Sequence, residues 1–488
     1  MLFNSLNFLI FLPIVFICYW FLTKNNLKLQ NILLLISSCF FYACWDWKFM
    51  FLLLFSIFLD FYTGIKIYES IKLTKKKIWL WISIGINLGF LCVFKYYNFF
   101  TESFSEALSL LGVKVDLGTI QLILPVGISF YTFHGLSYVI DLYKDRIKPE
   151  RNIVNYSLFV SFFPLLVAGP IERATHLLPQ INKKRKFDYS KAVDGLRQIL
   201  WGLFKKIVIA DNCAEYANLI FNNSNAYSGS TLVLGALFFT IQIYGDFSGY
   251  TDIALGTASL FGIELLQNFS FPYFSRNIAE FWRRWHISLS SWFKDYLYIP
   301  LGGSKGGIWV KIRNTFIIFI VSGIWHGANW TFIAWGFLNA LYIMPSIIFN
   351  KNRIYLEIVA KGKYLPTIKE FLSIIFTFSL TTLAWIFFRA NNVTHAINYI
   401  TDIFTSSLFS VPYIIEVDTG SHIFPTFLIM MILLFIFIEW AGREGQYAIM
   451  HITKIGNRLS RNIFYLILIL LIFYQGNFNT NTFIYFQF

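Results

Sequence analysis

Hydrophobic positions in this chain form long unbroken runs more often than one-sided faces. Apolar segments lie near residues 6–22, 31–45, 49–64 and 78–94, and again near 119–140, 153–170, 192–210, 228–263, 312–349, 371–388, 424–440 and 462–475. A helix needs about 20 apolar residues to cross the hydrocarbon core. Lipid leaves the backbone no hydrogen-bond partner outside its own helix. The pattern therefore predicts an all-α, polytopic membrane protein. We count roughly 10–13 transmembrane helices by this criterion, plus re-entrant and interfacial pieces. "FFPLLVAGPIERATH" (162–176) loses its helix at Pro164 or at Gly169 and Pro170, which is tolerated only inside protein or beside a water-filled cavity.

Residues 264–311 depart from that pattern. They mix Arg283, Arg284, Lys294 and Asp295 with Trp282, Trp285, Trp292 and Phe293, too polar a set to span lipid. A helix over 277–293 would put Trp282, His286, Leu289 and Phe293 on one face and leave Arg283 and Arg284 off it. Asn277 followed by Glu280 reads as a capping box. The expectation is an amphipathic helix in or near the membrane interface.

Composition sharpens this picture. Hydrophobic residues make up 57% of the 488 and charged ones 14%, against about 25% charged in soluble domains. No stretch looks like a soluble half, so residues 1–488 read as a single membrane domain. The net charge of +14 would raise nucleic acid in a soluble protein. Here the basic residues gather in short loops, such as Lys24 with Lys28, then Lys72 with Lys75, Lys76 and Lys77. That is the positive-inside bias, and it places the N-terminus outside and the loop 181–189, "INKKRKFDY", in the cytoplasm. The five cysteines sit in or beside apolar runs without any CxxC and read as small hydrophobes. The opening "MLFNSLNFLIFLPIVFICYWFL" reads as a retained membrane segment rather than a cleaved signal.

Chemistry enters with the histidines. His326 lies in "SGIWHGANW" (322–330), where Gly323 and Gly327 leave room and Trp325 and Trp330 supply walls. An imidazole buried there stays neutral and can accept a proton. Asn329, three residues on, would orient it if the helix continued. The plain alternative is a hydrogen-bonded packing histidine. His286, after Arg283 and Arg284 and before Ser288, is either a second functional group or a structural histidine of a snorkelling helix. "IQIYGDFSGYTDIALG" (241–256) carries Asp246 and Asp252, which line a cavity or cap a close helix contact through Gly245 and Gly249. Two histidines without a third ligand make a poor metal site, so no metal is expected. Ser129, His134 and Asp141 contain the residue types of a hydrolase triad but no GxSxG elbow. "LGGSKGG" (301–307) matches neither a P-loop nor a dinucleotide fingerprint.

The ordered set of these motifs resembles the membrane-bound O-acyltransferase family, in the branch of the bacterial alginate O-acetylation, peptidoglycan O-acetylation and teichoic-acid D-alanylation proteins. "KYYNFF" (95–100), "PVGISFYTF" (125–133), "FFPLLVAGPIER" (162–173) and "YGDFSGYTDIALG" (244–256) carry the resemblance. The most specific pieces are "EFWRRWHISLSSWFKDYLYIPLGG" (280–303), "GIWHGANWTFIAWG" (323–336) and "FIYFQF" (483–488). The resemblance implies a ring of helices around a central tunnel, with His326 catalytic and His286 the second motif histidine. It further implies an acyl thioester such as acetyl-CoA as donor substrate, with no tightly bound cofactor. Arg283 and Arg284 would meet anionic parts of the donor. Trp325, Asn329 and Asp246 would shape the site, with Asn329, a tryptophan N–H or a backbone N–H on the oxyanion. The acceptor would be a cell-surface polysaccharide such as alginate, or peptidoglycan or teichoic acid, reached directly or through an extracytoplasmic esterase-like partner. The location implied is the bacterial plasma membrane. A glycan transporter and a non-catalytic membrane scaffold stay open as other classes; the internal repeats that would favour a transporter are not apparent.

Overall fold

The structure, a computed structural model, describes residues 1–488 other than 25, 116–117, 121, 167–168, 416–421, 455, 479–482 and 484–488. Of the closing motif 483–488, only Phe483 falls within it. Among the described residues, seven helices are long and apolar enough to cross a membrane: Trp47–Glu69, Leu73–Leu110, Gly229–Leu260, Ile308–His326, Trp330–Ile348, Ile368–Arg389 and Arg458–Gln475. Three shorter apolar helices, Leu6–Leu22, Leu27–Ala43 and Thr426–Ala441, bring the apolar set to the lower end of the expected range. Strand pairing among the described residues is confined to a two-residue antiparallel ladder, Ile414–Ile415 with His422–Ile423. The protein is an all-α polytopic membrane protein.

The chain forms two compact units. The first comprises Met1–Gly195 and Ala254–Leu266. Its broken element lies inside protein, as the backbone argument requires. A helix over Ile153–Ser161 gives way to the single turn Phe163–Leu166, and a helix resumes at Ala174–Ile181. Glu172, fully buried between them, accepts the Leu266 backbone N–H at 2.6 Å and lies 2.8 Å from His176 Nδ1. Those bonds satisfy the buried carboxylate. His134 also lies here, buried in the helix Ile128–Tyr143. The Asp141 carboxylate is paired with Arg146 at 3.0 Å, and neither His134 nitrogen has a side-chain hydrogen-bond partner among the described residues. The triad reading therefore has no geometric support.

The second unit comprises Leu196–Ile253 and Gln267–Phe488, and both motif histidines belong to it. The apolar run 312–349 folds as two helices, Ile308–His326 and Trp330–Ile348, joined by residues 327–329. Glycine sets their approach. A Cβ at Gly323 would lie 2.3 Å from the Phe332 carbonyl oxygen, and one at Gly336 would lie 2.3 Å from that of Phe319, so any side chain would separate the pair. Lys305, Lys311 and Arg313 cluster where the first helix starts, and Lys351, Arg353, Lys361 and Lys363 where the second ends. Residues 327–329, at the other end of the pair, carry no basic side chain.

Residues 277–293 correct the sequence expectation. Instead of one helix they form two, Ile278–Arg284 and Ile287–Phe293, broken at Trp285 and His286. Periodicity could not show the cause, which is tertiary. Ser270 donates its N–H to the Arg284 carbonyl at 3.0 Å, and Ile287 donates to the Asn268 carbonyl at 2.9 Å. Ser288 Oγ adds a bond to Asn268 Oδ1 at 2.6 Å. A neighbouring loop thus claims the backbone that a continuous helix would need. Asn277 does cap the first helix, accepting from the Glu280 N–H at 2.7 Å. The return half of the box is redirected, because the Glu280 carboxylate accepts from the Arg276 N–H at 2.8 Å. Phe281, Trp285, His286 and Leu289 are all buried, so this side of the segment packs against protein.

Candidate active site

His326 is the last residue of its helix and is 3% exposed. Aromatic rings surround it, with centres at 4.9 Å for Trp325, 5.1 Å for Trp335 and 5.3 Å for Phe388. The helix stops there because Gly327 turns extended, and Asn329 starts the next helix as its N-cap, accepting from the Thr331 N–H at 3.0 Å. Asn329 therefore does not share a helical face with His326. Its other end donates to the Asn391 carbonyl at 2.9 Å, so the amide fixes the turn after the histidine.

His286 sits at the break, with φ at +44°. That left-handed conformation costs a residue bearing a Cβ on the order of 1–3 kcal/mol and persists only where surrounding contacts impose it. The Phe247 ring meets the imidazole edge-on at 4.7 Å, and the Trp325 ring centre lies 6.0 Å away. Neither ring nitrogen of His286 has a hydrogen-bond partner among the described residues. Burial pushes this imidazole down to about 3, so it is neutral at ordinary pH. Most buried polar groups are paired, and an orphaned one calls for an explanation such as strain, a bound water or ion, or a catalytic role. The spacing of the two histidines in sequence left their distance open. In the fold, both imidazoles border the indole of Trp325.

The other candidates are tied to the protein itself. Arg283 donates to the carbonyls of Asn352 and Tyr355 at 2.5 and 2.6 Å. Arg284 pairs with Glu280 at 3.0 Å, and Glu280 also holds Arg276 at 2.9 Å. Asp246 pairs with Lys206 at 2.7 Å, and Lys206 in turn reaches Asp211 at 2.8 Å. Asp252 pairs with Lys205 at 2.6 Å. Close helix contact accompanies these pairs, for a Cβ at Gly249 would lie 2.8 Å from the Gly202 carbonyl oxygen. The sequence pattern identifies the glycines and aspartates, but Lys205 and Lys206 fall inside the apolar run 192–210 and are not singled out by it. It also missed Trp335, Trp385 and Phe388. Trp335 stacks on Trp385 at 5.6 Å and meets Trp282 at 5.6 Å. The indole N–H groups of Trp282 and Trp385 have no acceptor among the described residues. The three-residue step from Trp385 to Phe388 on a helix was the available signal. Among the described residues no three His, Cys, Asp or Glu side chains gather as a metal site.

Residues 149–377 match the family model of MBOAT, the membrane-bound O-acyltransferase family. A peptidoglycan O-acetyltransferase of Helicobacter pylori is 37% identical over 427 residues, covering 81% of this chain and 78% of that protein. The chain belongs to the membrane-bound O-acyltransferase family. A probable alginate O-acetylase of Pseudomonas aeruginosa is also 37% identical, over 395 residues, covering 80% of this chain and 73% of its own length. A teichoic acid D-alanyltransferase of Bacillus subtilis is 29% identical over 289 residues, covering 56% of this chain and 71% of its own length. The protein is thus a multi-pass membrane enzyme, an acyltransferase of this family.

Proposed function

We propose that this enzyme moves an acyl group, acetyl by default, from a cytoplasmic thioester such as acetyl-CoA to a hydroxyl on the far side of the plasma membrane. The observation that carries this reading is the pair of buried imidazoles bordering one indole, with both nitrogens of His286 left unpaired. His326 acts as general base. It takes the proton from the acceptor hydroxyl while that oxygen attacks the thioester carbonyl. Collapse of the tetrahedral intermediate breaks the carbon–sulfur bond, and the departing thiolate takes the proton back from the imidazolium. The unpaired indole N–H groups of Trp282 and Trp385, both beside Trp335, are the donors we assign to the oxyanion. His286, held neutral, positions the donor or acceptor through the nitrogens it keeps free.

Arg283, Arg284 and Asp246 enter as residues that hold the site, since their charges are already matched by protein groups. The acceptor class is a cell-surface polysaccharide, reached directly or through the hydroxyl of an extracytoplasmic partner protein. The printed functions of the relatives, peptidoglycan O-acetylation and alginate O-acetylation, support this class. The whole chain is taken as one catalytic domain. Direction is testable in sealed proteoliposomes loaded with labelled acetyl-CoA. Label should appear on an acceptor added outside; label confined to the lumen contradicts transfer across the membrane.

A further inference from the structure

A polar cavity lies next to the turn that carries the catalytic-motif histidine. Its volume is about 620 Å³, within the range of roughly 300–1,000 Å³ typical of small-ligand sites. It forms where the helix Asp211–Asn222 ends and where Ile368–Arg389 gives way to Val393–Ile403. Its wall is directly tied to the motif turn, because Asn329 donates to the Asn391 carbonyl at 2.9 Å. Phe388, three residues before Asn391, packs on His326 at 5.3 Å between ring centres. Lys361, Lys363 and Lys369 lie at the far end of Ile368–Arg389, and residues 211–228 and 390–413 contain no lysine or arginine, a bias that puts the cavity on the extracytoplasmic side.

Its lining is amide and hydroxyl. Asn225, Asn391 and Asn398 line it with side-chain amides that make no hydrogen bond among the described residues, and Thr394, Ser224 and His395 add further polar atoms. His395 Nδ1 accepts the Asn391 N–H at 3.4 Å, so its Nε2 carries the proton toward Ser224 Oγ, 3.3 Å away. Burial holds that imidazole below its ordinary value, and Arg389 adds to the effect. No Asp, Glu, Lys or Arg is among the described residues of the lining. The neighbouring cation, Arg389, is bonded to Asn218 at 2.7 Å and to Asn222 at 3.3 Å. Neutral amides offer both donors and acceptors, the complement of sugar hydroxyl and acetamido groups. They offer no counter-charge, so a polyanion would lose hydration here without compensation.

We propose that this cavity is the acceptor subsite and that it takes an uncharged, polyhydroxylated glycan segment bearing amide groups, in preference to a polyuronate. The proposal rests on the reading of His326 as the base, and its test keeps the two apart. Full-length protein in nanodiscs, without acyl donor, is titrated with the neutral tetramer of N-acetylglucosamine and separately with a mannuronate tetramer, and binding is read by calorimetry. The neutral oligomer should bind at least ten-fold more tightly. A combined Asn225→Ala, Asn391→Ala, Asn398→Ala variant should lose at least ten-fold in that affinity while keeping the parent's melting temperature and size-exclusion profile. Asn391→Lys should weaken the neutral oligomer and strengthen the mannuronate. The proposal is overturned if neither oligomer binds, if mannuronate binds as tightly, or if the triple variant binds unchanged. His326→Ala should bind the neutral oligomer normally. If His326→Ala also keeps full transfer activity, the catalytic reading fails while the binding result stands.

Discussion

The His286 imidazole lies 6.0 Å, ring centre to ring centre, from the indole of Trp325, the residue immediately before His326. Two motifs far apart in sequence thus meet through one aromatic ring. His286 reaches that ring from a left-handed backbone, so its position is imposed by tertiary contacts and not by helix geometry. His286→Gly relieves that strain and removes the imidazole together. Transfer should fall by at least ten-fold while the melting temperature stays within a few degrees of the parent. A variant that melts much lower and keeps its activity per folded molecule would make His286 purely structural.

The double link through Lys206 predicts a stability effect. Lys206 is 1% exposed and paired with both Asp211 and Asp246. Lys206→Met leaves two buried carboxylates without their cation, and breaking a buried pair costs about 3–5 kcal/mol. The thermal unfolding midpoint should drop clearly. Adding Asp211→Asn and Asp246→Asn should recover most of the loss, because no charge then lacks a partner. If Asp246→Asn alone raised the KM for donor with no change in stability, Asp246 would be a donor contact.

Several features were legible in the chain before any coordinates. The apolar runs became helices, and the glycines of "SGIWHGANW" and "IQIYGDFSGYTDIALG" became close helix contacts. The reading failed where tertiary hydrogen bonds overrode local pattern. The helical spacing of Trp282, His286, Leu289 and Phe293 was sound as periodicity, yet Asn268 takes the Ile287 N–H and the helix breaks. Likewise, Arg283 and Arg284 looked free to meet an anionic ligand. Their acceptors, the carbonyls of Asn352 and Tyr355 and the Glu280 carboxylate, lie partly in a loop about 70 residues away, which no local pattern reveals.

Two histidines predict opposite pH responses. His286 is pushed from an ordinary 6.5 to about 3 by burial. Between those values the unfolded chain takes a proton that the folded one refuses, so stability falls as pH drops from 6.5 toward 3. His176 is raised by its hydrogen bond to Glu172. Its contribution is complete below 6.5 and is lost as pH rises through the raised folded value. Melting curves from pH 4 to 9 should show His286→Gln flattening the acid limb and His176→Gln costing more at pH 6 than at pH 9. The reverse pattern would contradict the burial argument.

Asn329 links a helix cap to the loop beside the motif. Asn329→Ala removes the cap on Thr331, a loss of roughly 0.5–2 kcal/mol, and also the bond to Asn391. Asn329→Asp keeps the cap and loses only the donated bond. Thermal stability should recover with aspartate. Transfer should recover only in part, since the turn after His326 is still untied from Asn391. Full recovery of both would confine Asn329 to capping.

The central claim is that His326 is the base for acyl transfer, and single-turnover transfer from labelled acetyl-CoA tests it most directly. Purified parent and His326→Ala, matched for melting temperature and size-exclusion profile, are mixed with donor and acceptor, and labelled acceptor is counted over time. The account predicts a loss of roughly 10²- to 10⁴-fold in the transfer rate for the variant, with donor binding unchanged. Transfer at the parental rate by a normally folded His326→Ala would contradict it.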